Sequence, residues 1–424
     1  MHLLDVRADD DGVVRVEVES DQTVTGCPVC GVLAIGHGRR VQVLHDAPCF
    51  GRPVRVRWFK RVWRCPEASC PRRTWTEQHP FAAPRAKLTA RATSWAVDSL
   101  RHDDTTVSAL ARRLGVAWDT CWNGIQAAAK ELVKDPHRVK GIRTIGVDEH
   151  IWRPSKVAAA DKAVTIMVDL TRDEHGCLHA RLLDAVRGRS GKAYADWLTD
   201  AGLEVKVTVE HAALDPFRGY ANAIRDELPD AVAVLDAFHV VKLAGDVVDE
   251  VRRRVQQNTL HRRGHKDDPL YRIRRTLLTG EEHLTDRQRA RLEKYLLAGD
   301  PIGEVELAWR IYQSVRGIYN APSPAVGRER AEKLLNALHT CPIGEVARLG
   351  RTLRQWRQQI LAYFTSGGVN NGGTEAINLL IEKTRRLAHG FRNFENYRLR
   401  ILLAADGSRP YKRRPREPVN HAES

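Results

Sequence analysis

Leu203 to Leu243 reads LEVKVTVEHAALDPFRGYANAIRDELPDAVAVLDAFHVVKL, and the fold class turns on this stretch. Val205–Val209 is a β-branched run of strand length. Asp215-Pro216 then opens a helical segment, since Asp caps exposed N–H groups and Pro tolerates the first helical position. Phe217, Tyr220, Ala221 and Ile224 recur on one helical face. A second apolar run, Ala231–Leu235, reads as another buried strand, and Asp236 and His239 stand at its end. The unit is strand, helix, strand, with carboxylates where the strands run out. Strand ends are where α/β sheets build their sites.

Upstream, Arg143–Trp152 is RTIGVDEHIW. Period-two alternation puts Ile145, Val147, Glu149 and Ile151 on one face and Gly146, Asp148 and His150 on the other. Asp148 therefore falls inside a strand that propensity would keep apolar, which calls for a metal or a buried cation beside it. Two more strands, Ala163–Leu170 and Cys177–Leu183, are joined by the turn TRDEHG, and a helix around Gly191–Leu203 leads back to the opening stretch. Three strands, helix, strand, helix, strand is the order of an RNase H-like domain. Downstream, Val240 to about Thr365 is helical and rich in Arg and Leu, interrupted by HRRGHKDDP and NAPSPAVG. A structureless loop of that length is implausible, so an inserted all-α subdomain is expected. Ser366–Glu375, SGGVNNGGTE, then reads as a flexible loop delivering Glu375 into the first turn of a helix over Ala376–Ala388. That helix buries Ile377, Leu380, Ile381 and Leu387 and shows Lys383, Arg385 and Arg386 to solvent.

Composition bounds the function. The 424 residues suggest two to four domains. A net charge of +15 and a pI near 9.6 point to a polyanionic partner, nucleic acid ahead of a membrane surface. No apolar run is long enough for a membrane span, and the N-terminus MHLLDVRADDDG is acidic where a secretion signal is basic. Eight Cys with two close pairs then favour reduced thiols and a metal, in a cytoplasmic protein.

The close pairs lie in a stretch of short β-strands, with alternation at Val13–Val18 and Val54–Trp58. Cys27 and Cys30 form a CxxC knuckle, and Cys65 and Cys70 a looser second pair. Four thiolates in two pairs match structural Zn²⁺, with Cys49 and His45 spare as replacements. Between Arg39 and Arg73 there are ten Lys/Arg and two acids, interleaved with Trp58, Phe59 and Trp63. Arg55, Arg57 and Arg61 there are candidate phosphate contacts. Val107–Trp122 has a helix-turn-helix pattern: Leu110, Ala111 and Leu114 give the first helix its apolar face, and Gly115 permits the turn. Ala117–Ala128 is the expected recognition helix, exposing Asp119, Thr120 and Asn123.

GVDEH, LDPFRGYANAI, VLDAFHVVK and NNGGTEAINLLIEKTRRLAHGFRNFENYRLRIL together resemble the ISL-three group of bacterial insertion-sequence transposases, over nearly the whole chain. The resemblance implies a zinc finger, a helix-turn-helix and a DDE catalytic domain. It also implies catalytic, Mg²⁺- or Mn²⁺-binding Asp148, Asp215 and Glu375, with Asp236 and His239 as a supporting DxxH element. Asp236 also ends a strand and competes with Asp215. Fold order favours Asp215, since the second carboxylate belongs after the fourth strand. Glu382, two turns along, competes with Glu375. The implied partners are double-stranded DNA, contacted also by Arg385 and Arg386, and a second copy of the chain. A catalytically silent DNA-binding regulator is the alternative function. The expected division is a zinc-finger module (1–80), helix-turn-helix (85–135), RNase H-like core (140–243), all-α insertion (244–365), the catalytic helix of the core (366–405) and a basic tail (406–424).

Overall fold

The structure is a computed structural model that describes residues 1–21, 23–153 and 162–408. The basic run Arg409–Arg416 lies outside the described residues. The chain divides into two compact units, one of Met1–Arg138 with the chain from Leu380 onward, the other of Val139–Leu379.

In the first unit, β1 (His2–Ala8), β2 (Val14–Glu19), β3 (Ile35–Cys49), β4 (Arg52–Arg64) and β5 (Thr74–Thr76) form one sheet in the order β1-β2-β4-β3, with β5 also on β4. Alternation along β4 buries Val54, Val56, Trp58 and Lys60. The indole of Trp58 donates to Ser20 Oγ at 2.9 Å, and the Lys60 ammonium lies 4.3 Å from its ring centre. Three helices follow, α1 (Ala90–His102), α2 (Val107–Leu114) and α3 (Trp118–Lys134). Thr106 caps α2 through the Ala109 N–H, and Gly115 ends it in the left-handed region at φ 65°. The apolar face anticipated from Leu110, Ala111 and Leu114 is buried with Trp122 and Ile125.

Sheet and helices of this unit are joined at Asp46. Its carboxylate is 1% exposed, accepts from Thr89 Oγ1 at 2.6 Å and pairs with Arg91, while Thr89 itself caps α1.

The second unit is built on β6 (Thr144–Ile151), β7 (Ala163–Asp169), β8 (Arg181–Arg187), β9 (His211–Leu214) and β10 (Val232–Leu235), in the sheet order β10-β9-β6-β7-β8. The β6-β7-β8 meander is antiparallel, whereas β9 and β10 run parallel to β6. Helices α4 (Gly191–Asp200) and α5 (Gly202–Thr208) precede β9, α6 (Arg218–Glu227) separates β9 from β10, and α7 (Ala237–Leu260) leaves β10. Then come α8 (Pro269–Arg272), α9 (Asp286–Gly299), α10 (Glu304–Tyr319), α11 (Pro324–Ala337), α12 (Gly344–Gln355) and α13 (Arg357–Ala362). The helical stretch shares one core with the sheet: Ile145, Leu214 and Leu235 belong to the same buried cluster as Val251, Trp309 and Trp356. Next, α14 (Gly372–Leu387) crosses from the second unit into the first, and α15 (Phe394–Ala404) packs Leu399 and Leu403 into the helical core of the first.

Two strands differ from the sequence reading. Val205–Val209 is not a strand: Gly202–Thr208 is helical, and the strand is His211–Leu214. A strand would turn Val205, Val207 and Val209 to one face. Instead Val205 and Val209 are buried four residues apart while Val207 is 70% exposed, which is helical spacing. The sheet takes the smaller Ala212 and Ala213 as its filling between two flanking strands. The third strand starts at Arg181, not Cys177, because the Asp173 carboxylate accepts the N–H groups of His175 and Cys177 and holds that segment as a turn.

Replacing Asp46 by Ala removes the acceptor shared by Thr89 and Arg91. Native-state hydrogen exchange is expected to show the first turn of α1 and the end of β3 opening with about 2 kcal/mol less protection; unchanged protection would remove Asp46 from this role.

Candidate metal centres

Parallel register places the acids. Val147 pairs with Leu214, and Leu214 pairs with Leu235, across β6, β9 and β10. The next residue in each strand is an aspartate, so Asp148, Asp215 and Asp236 stand side by side at one height of the sheet. Adjacent carboxylates repel, and the effect is concentrated on Asp215. Burial first, then the negative charge of Asp148, pushes its pKa up to about 8. His239 opposes this. Its Nδ1 lies 3.0 Å from Asp215 Oδ1 and 3.0 Å from Asp236 Oδ2. Burial disfavours the imidazolium, but the carboxylates of Asp236, Asp215 and Asp148 outweigh it and hold the His239 pKa above its ordinary value.

The fourth wall is the start of α14. Buried Asn371 precedes the helix; its backbone N–H donates to Asp236 Oδ1 at 2.9 Å. Further along the helix, Asn378 Nδ2 donates to Asp148 Oδ2 at 2.7 Å. Ser366–Glu375 is thus tied to the strand ends near Asn371 and is not the free loop that its glycines suggest. Glu375 is exposed in the first turn of α14, one helical turn before Asn378 and on the same side. Its carboxylate is not part of the cluster formed by Asp215, Asp236 and His239, whose ligand atoms lie within 4.8 Å of one another. The rival acid Glu382 is committed elsewhere: hydrogen bonds from Arg385, joined by Arg386, overcome its burial and hold its pKa down to about 2. Asn371, Thr374 and Asn378 carried no chemical signal in the sequence. The spacing of Asn378 three residues after Glu375 was the one available hint.

The donor set suits a hard divalent cation. Two carboxylates pressed together, with one held largely protonated near neutral pH, are relieved when a cation supplies the missing positive charge.

The thiols form a second centre in the first unit. Gly31, at φ 75°, closes the Cys27–Cys30 knuckle by donating its N–H to the Cys27 carbonyl at 2.9 Å. Cys65 ends the β4 region, and a turn capped by Glu67 through Ser69 brings Cys70 back beside it, which is how a four-residue gap still closes the site. Cys27 and Cys70 Sγ are 3.8 Å apart, Cys30 and Cys65 Sγ 3.5 Å, and the four sulfurs lie within 4.8 Å of one another. A tetrahedron with Zn–S bonds of about 2.3 Å has edges of about 3.8 Å, so the fit is direct. Burial pushes the Cys65 thiol up to about 12, whereas at Cys27 the opposing burial is overcome by the N–H groups of Cys30 and Val29, which bring it down to about 7. The spare ligands are otherwise placed: Cys49 is exposed at a hairpin end, and His45 Nδ1 is 3.2 Å from the Leu114 carbonyl.

The basic candidates divide. Asn123 is exposed on α3 and Thr120 half-buried. Arg57 faces solvent but pairs with Glu17, Arg55 is half-buried, and Arg61 spends its guanidinium on the Ser20 carbonyl at 3.1 Å. Arg386 is exposed, whereas Arg385, expected to face solvent, is half-buried; both bond Glu382.

Purified protein is expected to hold about one zinc per chain. Cys65→Ser should lose it and expose the β4–β5 region to proteolysis; folded protein with no zinc by elemental analysis would overturn the assignment.

Comparison with known proteins finds similarity over three stretches of the chain. Residues 145–401 match the profile of an ISL3 transposase domain, residues 77–129 the helix-turn-helix domain of transposase family ISL3, and residues 23–70 the zinc-finger of transposases IS204/IS1001/IS1096/IS1165. The chain is 24% identical over 354 residues to a transposase for insertion sequence element IS1557 of Mycobacterium tuberculosis, covering 76% of each chain. It is 25% identical over 388 residues to a transposase for insertion sequence element IS1001 of Bordetella parapertussis, covering 90% of this chain and 89% of that one. Among solved structures, the Drosophila P element transposase strand transfer complex matches with a TM-score of 0.42 and 9% identity, over 77% of this chain and 92% of that one. With one family profile spanning most of the chain and the zinc and helix-turn-helix profiles matching in order before it, the protein belongs to the ISL3 family of insertion-sequence transposases.

Proposed function

We propose that this transposase cuts and joins DNA at the ends of its insertion sequence through Asp148, Asp215 and Glu375, which hold two Mg²⁺ or Mn²⁺ ions in an RNase H-like fold. The carboxylate row across β6, β9 and β10 carries the reading, because no stability argument explains three acids at one height of a sheet. The sheet order β10-β9-β6-β7-β8, with its antiparallel meander and two parallel strands, supports the RNase H-like part of this reading. Divalent ions held by these acids would supply activation of the attacking water or 3′-hydroxyl and stabilisation of the leaving oxygen. The protein's part is positional. Asn378 orients Asp148, His239 Nδ1 lies 3.0 Å from both Asp215 and Asp236, and α14 carries Glu375 on its first turn, one turn before Asn378. Asp215, with its pKa raised by burial and by Asp148, would have to lose its proton to hold an ion.

Recognition falls to the first unit. The zinc-finger module (1–80) and helix-turn-helix (85–135) read the terminal inverted repeats, with Arg55, Arg57, Thr120 and Asn123 toward DNA, and Arg385 and Arg386 add phosphate contacts. The core of 140–243 and 366–405, interrupted by the helical insertion 244–365, does the chemistry. Holding two ends at once calls for at least a dimer, acting on DNA in the bacterial cytoplasm.

Asp148→Asn, Asp215→Asn and Glu375→Gln are each expected to slow Mg²⁺-dependent cleavage of an element end by at least about 100-fold, with end-DNA affinity kept within about twofold. Wild-type cleavage by Asp148→Asn or Glu375→Gln overturns the assignment.

The raised Asp215 pKa sets the sign of a pH effect. Below about 8 the metal-free carboxyl is protonated, and a cation must displace that proton. Mn²⁺ affinity, followed by paramagnetic resonance without DNA, should therefore weaken roughly tenfold for each pH unit below 8 and level off above it. A flat profile between pH 6 and 8 would contradict this.

A further inference from the structure

We infer that Asn371 is the positioning residue that sets the Glu375-bearing helix in register with the aspartate strands. The inference rests on the reading of Asp148, Asp215 and Glu375 as the catalytic acids.

Asn371 is 2% exposed, and each of its polar groups is engaged. Its backbone N–H donates to Asp236 Oδ1 at 2.9 Å. Its side-chain Nδ2 donates to the Val147 carbonyl at 3.2 Å and reaches Asp215 Oδ1 at 3.4 Å. Its Oδ1 accepts from Thr374 Oγ1 at 2.6 Å. Its carbonyl accepts the N–H groups of Thr374 at 2.9 Å and Glu375 at 3.3 Å. One residue therefore touches the middle of β6, beside Asp148, and the acids Asp215 and Asp236 that follow β9 and β10, and also forms the turn from which Glu375 projects.

The amide orientation is dictated by its surroundings. The Val147 carbonyl only accepts, so Nδ2 must face it, and the Thr374 hydroxyl supplies the donor that Oδ1 needs. Asp cannot donate to Val147, and Ser is too short to reach both strand ends. A fully bonded buried amide specifies one geometry, because any displacement leaves a donor or acceptor unmet.

An independent observation comes from the facing strand. Gly146 lies in β6, where its missing side chain makes the seat for this latch. A Cβ at Gly146 would collide with Thr374 Oγ1 and Asn371 Oδ1. A glycine within a strand marks close approach of another segment, and here that segment is the latch.

The latch also assigns Asp236. Asp215, Asp236 and His239 are close enough to hold a cation together, but Asp236 already has Oδ1 on the Asn371 N–H and Oδ2 on His239. Asp236, 2% exposed and holding the Asn371 backbone N–H, is the anchor of the latch, whereas Asp215 is the less buried of the two.

The full chain tests this. Asn371→Ala should lower kcat for end cleavage about 100-fold, leave KM for end DNA within about twofold, and weaken Mn²⁺ binding measured without DNA about tenfold. Thr374→Val, which removes only the hydroxyl, should lower kcat about tenfold, while Thr374→Ser should cleave at close to the wild-type rate. Gly146→Ala should mimic Asn371→Ala. In a Glu375→Gln background, Asn371→Ala should cause little further loss of Mn²⁺ affinity, because both changes remove the same ligand from its place. Wild-type cleavage by folded Asn371→Ala, or a Mn²⁺ loss that adds in full to that of Glu375→Gln, overturns the inference. Should Asn371→Ala fail to fold, the Thr374 pair decides, and equal rates for Val and Ser overturn it. If Glu375→Gln itself cleaves normally, the catalytic reading fails; if Glu375→Gln is inactive and Asn371→Ala is not, only the latch fails.

Discussion

Three aspartates forced to one height by parallel strand pairing are the constraint on which the second unit depends. Strands β9 and β10 are four residues each and have little holding power of their own. Their register is kept by the apolar core beneath, in which Leu214 and Leu235 are fully buried with residues of the helical stretch. The helices after β10 are therefore part of what holds the acids together. A core that relaxed by one residue would turn the aspartates to the opposite face of the sheet.

Repulsion along the row is answered unevenly, and the unevenness separates roles. Asp236 is buried, sits at the start of α7, and takes an N–H and an imidazole. Asp148 takes the Asn378 amide. Asp215 shares His239 with Asp236 and is reached by Asn371 Nδ2 at 3.4 Å, yet burial and the charge of Asp148 still raise its pKa. A site arranged in this way is incomplete as a set of protein groups and completed by positive charge. The same logic holds at the thiols in the first unit, where burial keeps Cys65 neutral until a cation inverts the balance. The two centres differ in hardness, oxygen in one and sulfur in the other, which keeps their metals distinct.

The first unit solves a different problem. Its sheet has a small core of Val18, Leu44, Val54, Val56, Trp58 and Ala82, too little for a β module to stand alone. The thiol cluster and the Asp46 junction supply the remainder. By tying the sheet to the N-terminus of α1, Asp46 makes the basic strands and the helix-turn-helix parts of one body.

Local chemistry was legible in the sequence. Thiol pairs announce a tetrahedral site by spacing alone, Gly115 and its apolar neighbours announce a turn between helices, and Asp148 stands out because an acid inside an apolar strand needs a partner. Asp215 and Asp236 were visible as acids at strand ends, although the strand before Asp215 was misplaced. The valines of 205–209 have strand propensity, and only the packed core showed that their i,i+4 pair faces inward as a helix. Propensity is a property of the segment, whereas burial is decided by what lies opposite. For the same reason the sequence offered a flexible glycine loop before Glu375, and the tertiary structure made it a latch. Asn371 has no chemistry of its own to advertise. Its role exists only because three strands, distant in sequence, present a mid-strand carbonyl and two carboxylates at strand ends to one asparagine, and because Gly146 leaves the space for it.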